Sequence, residues 1–201
     1  MKFMVDSKTR DLTFLATFLA IGFILYLTPL GAIPISGVSA TISMVPVIIG
    51  GIVLGPLYGM YLGISMGVLS LLRALISPAT PLDILFINPL LSVLPRAFIG
   101  VVSSYAYQLI KKILHKKAPA LIIGGIAGSM TNTVLVLLVM YILYAPKLLE
   151  LTGAADTRAL RYVIYGIVAT NGGLEAVIAA ILTCGIGLAL YKGLPSGSHR
   201  L

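Results

Sequence analysis

Charge is what this sequence has least of. Only 10% of its 201 residues are Asp, Glu, Lys or Arg, six acids against fourteen bases. A water-facing surface alone needs more charge than that, which excludes a soluble domain of ordinary composition. Tryptophan is absent, and cysteine occurs once, as Cys184. A lone cysteine excludes an internal disulfide and a cysteine-based metal site. There is no G-x-x-x-x-G-K-[ST] phosphate loop, no H-E-x-x-H and no acidic pair spaced for a metal. The two histidines, His115 and His199, stand in a basic link and in the tail and read as solvated, leaving none at membrane depth for a Ser/His hydrolase. Neither ATP hydrolysis nor other enzymatic chemistry is expected of this chain, and no cofactor is called for.

What is there is apolar. Hydrophobic residues make up 59% of the chain and mean hydropathy is +1.07, the composition of an integral membrane protein. A transmembrane helix needs roughly 20 apolar residues. Six segments qualify or nearly qualify, at about 12–30, 39–55, 56–77, 90–113, 119–146 and 162–191. The expectation is therefore an all-α integral membrane protein, a single domain over 1–201 with six transmembrane helices. The basic start MKFMVDSKTR and the long apolar run after it read as the first helix, not as a cleaved signal peptide. The second segment is the shortest, carries Pro46 and Gly50-Gly51, and turns into the third at Gly55-Pro56.

Basic residues set the orientation. Lys2, Lys8 and Arg10, then Lys111, Lys112, Lys116 and Lys117, then Lys192 and Arg200 fall on one side of a six-helix layout. Lys147, Arg158 and Arg161 fall on the other. The bias places both termini in the cytoplasm, and the net charge of +8 reflects loop topology, not nucleic-acid binding. The outer connections are then GAIPISG, PATPLDILFIN with Asp83, and 147–161, which has the composition to carry a short helix.

Against this background the polar residues stand out. The stretch Phe86 to Gly100, FINPLLSVLPRAFIG, holds Asn88, two prolines and Arg96. An arginine at membrane depth costs at least ~2.5 kcal/mol on insertion scales, so Arg96 needs a partner, a cavity or an anion. It either grips a ligand or pairs with Glu175, the sole acid embedded in a membrane segment. Asn88 precedes Pro89 as a plausible helix cap or a ligand contact. Gly55, Gly59, Gly63 and Gly67 recur every four residues, a stripe on which another backbone can pack closely. Tyr61, Ser65 and Arg73 share roughly the opposite face; they line a cavity, or Tyr61 is an interfacial aromatic and Arg73 snorkels. Arg96, Gly100, Ser103 and Tyr107 align on the next helix. Asn132, in the triplet Thr131–Thr133, joins helices or reads a ligand. Arg161, Tyr165, Val168, Gly172 and Glu175 form a heptad-like row with Asn171 beside it. Glu175 accepts hydrogen bonds from a ligand, balances Arg96 or relays a proton. Ala16 and Ala20 leave a small-residue strip on the first helix.

The six-helix layout, the A-x-x-x-A step at Ala16–Ala20 and the run TISMVPVIIGGIVLGPLYGMYLG with its Val53–Gly59 turn resemble the substrate-binding S components of energy-coupling factor (ECF) vitamin transporters. FINPLLSVLPRAFIG and GSMTNTVLVLLVMYILY resemble the pantothenate-specific branch. The resemblance implies an S-component-like bundle in a bacterial-type plasma membrane, capturing a vitamin from outside. Its implied partners are a shared transmembrane coupling subunit, docking on Ala16 and Ala20, and two cytoplasmic ATPases. For pantothenate, Arg96 or Arg73 suits the carboxylate through a charge-assisted contact, and Asn132, Asn171 and Tyr165 suit the amide and hydroxyls. The lack of tryptophan disfavours a flat ring such as flavin. A pyridoxine- or hydroxymethylpyrimidine-type ligand is the alternative within the family. Outside it, the alternatives are an ion-driven secondary transporter using Glu175, though no inverted repeat is visible, and an assembly protein whose polar residues only join helices.

Overall fold

Every residue of the ten-residue helix VPVIIGGIVL is apolar, and every one is buried. This helix is the post around which the chain is wound. A computed structural model describes residues 7–28, 31–35, 38–78 and 82–193. In order these form α1 Ser7–Leu27, strands β1 Ala32–Ile35 and β2 Val38–Thr41, the post α2 Val45–Leu54, and α3 Pro56–Ile76. A 3-10 turn Asp83–Ile87, α4 Pro89–Ser92 and α5 Leu94–Leu114 follow. Then come α6 Lys117–Thr152, α7 Thr157–Ile167, a π-helical turn Val168–Gly172 and α8 Gly173–Gly193. Lys2, His199, Arg200 and positions 29–30, 36–37 and 79–81 lie outside the described residues.

Among the described residues five helical stretches are long and apolar enough to cross a membrane: Lys8–Leu27, Pro56–Ile76, Pro89–Leu114, Lys117–Thr152 and Thr157–Lys192. The stretch 39–55 is not a single helix. Its start pairs antiparallel with β1, Ala32 opposite Thr41 and Ile35 opposite Val38, so the all-α expectation is amended by one small hairpin. The β-branched Ile33, Ile35, Val38 and Thr41 suit extended backbone, and Pro46 belongs in a first helical turn, where the structure puts it. At 1.5 Å per residue α2 rises about 15 Å, half of the ~30 Å hydrocarbon core.

Gly55, at φ 105° and ψ 170°, ends α2 in a conformation that side chains disfavour, and Pro56 opens α3. Beyond that turn the glycine stripe does close-packing work. A Cβ on Gly59 would meet Gly51 Cα at 2.7 Å and the Gly100 backbone at 2.8 Å, and one on Gly63 would meet the Arg96 carbonyl oxygen at 2.1 Å. Three helices, α2, α3 and α5, thus touch backbone to backbone at Gly51, Gly59 and Gly100. The row on α5 divides its labour: Arg96 with its backbone in the seam and its side chain outside it, Gly100 in it, Ser103 bonded to its own helix at Ile99 O (2.6 Å), and Tyr107 at the far end. There the Tyr107 hydroxyl bonds that of Tyr191 on α8, with Lys111 over the first ring and Lys117 over the second. This joins the ends of α5, α6 and α8.

The last two long helices run further than their hydropathy suggested. α6 continues through a kink at Tyr144 and past Pro146 to Thr152. The connection expected over 147–161 therefore shrinks to a few residues. Gly153 (φ 67°) turns the chain, and Asp156 caps α7 by accepting the Ala159 N–H at 2.6 Å. A second apolar cluster explains the extension: Leu148 and Leu160 are buried with Leu85, Leu91, Val136 and Met140.

Candidate binding cavity

Beside the glycine seam lies a cavity of about 270 Å³. It draws on the end of α1, the hairpin, α2, α3, the 3-10 turn, α5 and α6. Its apolar lining includes Met44, Val47, Met66 and Ile99, and its polar lining Thr41, Ser43, Ser70, Arg73, Asp83, Arg96 and Asn132. The volume is near the lower end for small-molecule sites, ~300 Å³.

Arg96 enters from the first turn of α5. Its backbone is set by Gly63, against which it packs, and its side chain by two contacts: Nη1 donates to Leu91 O at 2.9 Å, and the guanidinium stacks 4.7 Å from the centroid of the Phe86 ring. Such a planar cation has five N–H donors in a fork that matches a carboxylate. Arg73, in the last turn of α3, has a similar support. It donates to Tyr26 O at 3.3 Å and lies 5.7 Å over the Tyr26 ring. It is exposed and lines the cavity at once. The structure therefore sets two arginines, each leaning on an aromatic ring, around one space. Two guanidiniums against the Asp83 carboxylate leave the lining net positive.

Asn132 reaches the same space from the middle of α6, and its Oδ1 is buried with no hydrogen-bond partner. Leaving such an acceptor unmade costs about 1–3 kcal/mol. An acceptor held in that state inside a cavity is one that a ligand donor can satisfy.

The remaining sequence candidates do not line the cavity. Asn88 is the cap of α4: its side chain accepts the Leu90 N–H at 3.0 Å, and its Nδ2 donates to the Tyr144 hydroxyl at 3.1 Å, bridging to the kink of α6. Glu175 forms no ion pair with Arg96, whose guanidinium is held by Leu91 O and the Phe86 ring. Its carboxylate instead accepts the Thr41 N–H at 2.9 Å and faces the Thr133 hydroxyl at 3.4 Å. Tyr61 and Tyr165 lie on the outside of the bundle, 50% and 64% exposed. Asn171 is half-buried in the π-helical turn. The row Arg161–Tyr165–Val168–Gly172–Glu175 fails for a physical reason: it assumes uninterrupted α-helix, and the π-turn re-phases everything after it.

Sequence reasoning passed over Tyr26, Ser70, Phe86 and the hairpin. On α3 the signal was present but one step away. Met66, Ser70, Arg73 and Ser77 all line the cavity and recur at i, i+4, i+7 and i+11, so the polar row through Ser70 was the one to follow, not the row through Tyr61. Tyr26 and the hairpin carried no such periodicity.

Comparison with known proteins places the chain in a family. A family model for the substrate-specific component of ECF transporters matches residues 10–187. The chain is similar to the pantothenic acid transporter PanT of Lactococcus lactis subsp. cremoris, 32% identical over 205 residues, covering 94% of this chain and 97% of that one. It is also similar to the pantothenate transporter PanT of Leuconostoc mesenteroides subsp. mesenteroides, 31% identical over 195 residues, with 93% and 95% covered.

Proposed function

Because this chain belongs to the family of substrate-specific components of ECF transporters, a multi-pass transport protein of the bacterial plasma membrane, we propose that its cavity binds pantothenate arriving from outside the cell. The observation that carries this reading is the convergence of Arg96, Arg73 and the unsatisfied Asn132 Oδ1 on one small space. Pantothenate has a carboxylate, an amide, two hydroxyls and a gem-dimethyl group. Arg96 takes the carboxylate as a bidentate pair, with Arg73 adding long-range attraction. Asn132 Oδ1 accepts from the amide N–H or a hydroxyl, and Met66, Val47 and Ile99 hold the dimethyl end. The relatives named for pantothenate support the choice among vitamins.

The bound vitamin is handed to a transmembrane coupling subunit driven by two cytoplasmic ATPases. Ala16 and Ala20 are both exposed on α1, which suits a docking strip for that subunit. Six crossings follow if the hairpin and α2 together make the second one. Both termini are then cytoplasmic, supported by the Tyr107–Tyr191 contact that joins the α5–α6 link to the end of α8 beside Lys111 and Lys117.

Equilibrium binding of radiolabelled pantothenate to the purified chain tests the reading. Saturable, tight binding is expected, and Arg96→Ala weakens it at least about tenfold, the scale of one charge-assisted contact, with the melting temperature little changed. Absence of saturable binding to the wild type removes pantothenate and turns the screen to pyridoxine- and pyrimidine-type ligands.

A further inference from the structure

Glu175 sits in the first turn of α8, embedded in the last apolar helix, yet outside the cavity lining. Its Oε1 reaches a backbone amide 134 positions away, the N–H of Thr41, at 2.9 Å. Thr41 ends β2, and with Ser43 it forms part of the cavity wall. Successive strand amides point to opposite sides. The Ile42 N–H bonds back across the hairpin to Gly31 O at 2.8 Å, so the Thr41 N–H points away from β1, toward the bundle. This part-buried strand amide has no strand partner and needs an acceptor, and the carboxylate supplies a charge-assisted one. A two-stranded hairpin of four residues a side is marginal by itself, so this tie to the helices matters to where it stands.

The π-turn makes the tie possible. Each α-helical residue advances about 100°, and the wider turn over Val168–Gly172 shifts the phase of α8 relative to α7. Tyr165, before it, faces outward, whereas Glu175, after it, faces Thr41 and Thr133.

We propose that Glu175 is a positioning residue: its carboxylate pins the end of the β-hairpin to α6 and α8 and so holds the Thr41–Ser43 wall of the cavity in place, without touching the ligand. The proposal rests on the reading of the cavity as the vitamin site. Two conservative variants separate reach from charge. Glu175→Gln keeps an oxygen at the same reach and loses the charge; Glu175→Asp keeps the charge and retracts it by one methylene.

The experiment follows amide hydrogen exchange of 38–44 in the purified, ligand-free full chain, alongside the equilibrium constant and dissociation rate for pantothenate. Glu175→Asp and Glu175→Ala are expected to speed exchange and raise the pantothenate dissociation rate by about tenfold, the loss of one charged hydrogen bond. Glu175→Gln stays within about threefold of wild type in both. The reverse order, with Asp harmless and Gln as damaging as Ala, overturns the proposal and makes the charge itself the functional element. Unchanged exchange in Glu175→Asp overturns it as well. If the wild type does not bind pantothenate, the ligand assignment falls while the exchange measurement still decides the role of Glu175.

Discussion

Arg96 and Gly100 are one helical turn apart on α5, and they sit in opposite kinds of protein interior. At Gly100 three backbones touch, and a Cβ there would meet Gly59 at 2.5 Å. At Arg96 the backbone is still held against α3, where a Cβ on Gly63 would meet its carbonyl oxygen at 2.1 Å, but the side chain leaves the seam and lines a cavity of about 270 Å³. The seam is apolar and tolerates nothing larger than hydrogen. The cavity is polar and holds an acceptor without a partner. The difference teaches that one helix face serves two ends: the glycines hold the backbones of α3 and α5 together from Gly59–Gly100 to Gly63–Arg96, and that rigid contact fixes the base from which the Arg96 side chain reaches the space shared with Arg73 and with Asn132 of α6.

The harshest way to break that relation is Gly100→Val. Overpacking in a rigid core usually costs ~1–3 kcal/mol, but here the obstruction is backbone, which cannot swing aside. Folded, monodisperse protein after detergent extraction is expected to be nearly lost, read by size-exclusion chromatography. A normal yield with intact ligand binding would show that the seam relaxes and does not govern the cavity.

Asn132→Leu sharpens the comparison by splitting two quantities. It removes a buried unsatisfied acceptor, so the ligand-free protein gains about 1 kcal/mol and melts higher, while pantothenate binds about five- to tenfold more weakly. A variant that loses both stability and binding would make Asn132 helix glue. Arg73→Ala is milder, because the side chain is solvent-exposed and screened: about threefold weaker binding, with the deficit shrinking at high salt. At the bottom of the scale, Tyr165→Ala on the exterior changes ligand affinity by less than about twofold; a tenfold loss would place Tyr165 against the ligand and require another geometry.

Hydropathy alone made the membrane class and the long helices legible, and the Gly55-Pro56 turn and the glycine stripe followed from spacing. Arg96, Arg73 and Asn132 were also visible, because a polar side chain in a long apolar run is conspicuous wherever it points. Tyr61 and Tyr165 are as conspicuous, but uninterrupted α-helical phase does not give the direction in which they face. On α3 the cavity takes the row through Ser70, and on the last helix a π-turn lies between Tyr165 and Glu175. Asn88 likewise has a legible capping signature, and its bond to Tyr144 depends on a kink in α6 that spacing cannot locate.

By itself, then, the sequence determined which stretches enter the membrane, where α2 must stop, and which few side chains are too polar to lie there unused. Those are local properties, set by composition and by the conformations open to glycine and proline. Only the tertiary structure decided that residues 38–41 pair as a strand, that α2 is a half-length post with every side buried, and that the arginine at Arg96 leans on Phe86 and not on Glu175. Each of these depends on contacts between residues far apart in the chain, and the burial that selects them exists only once the helices have packed.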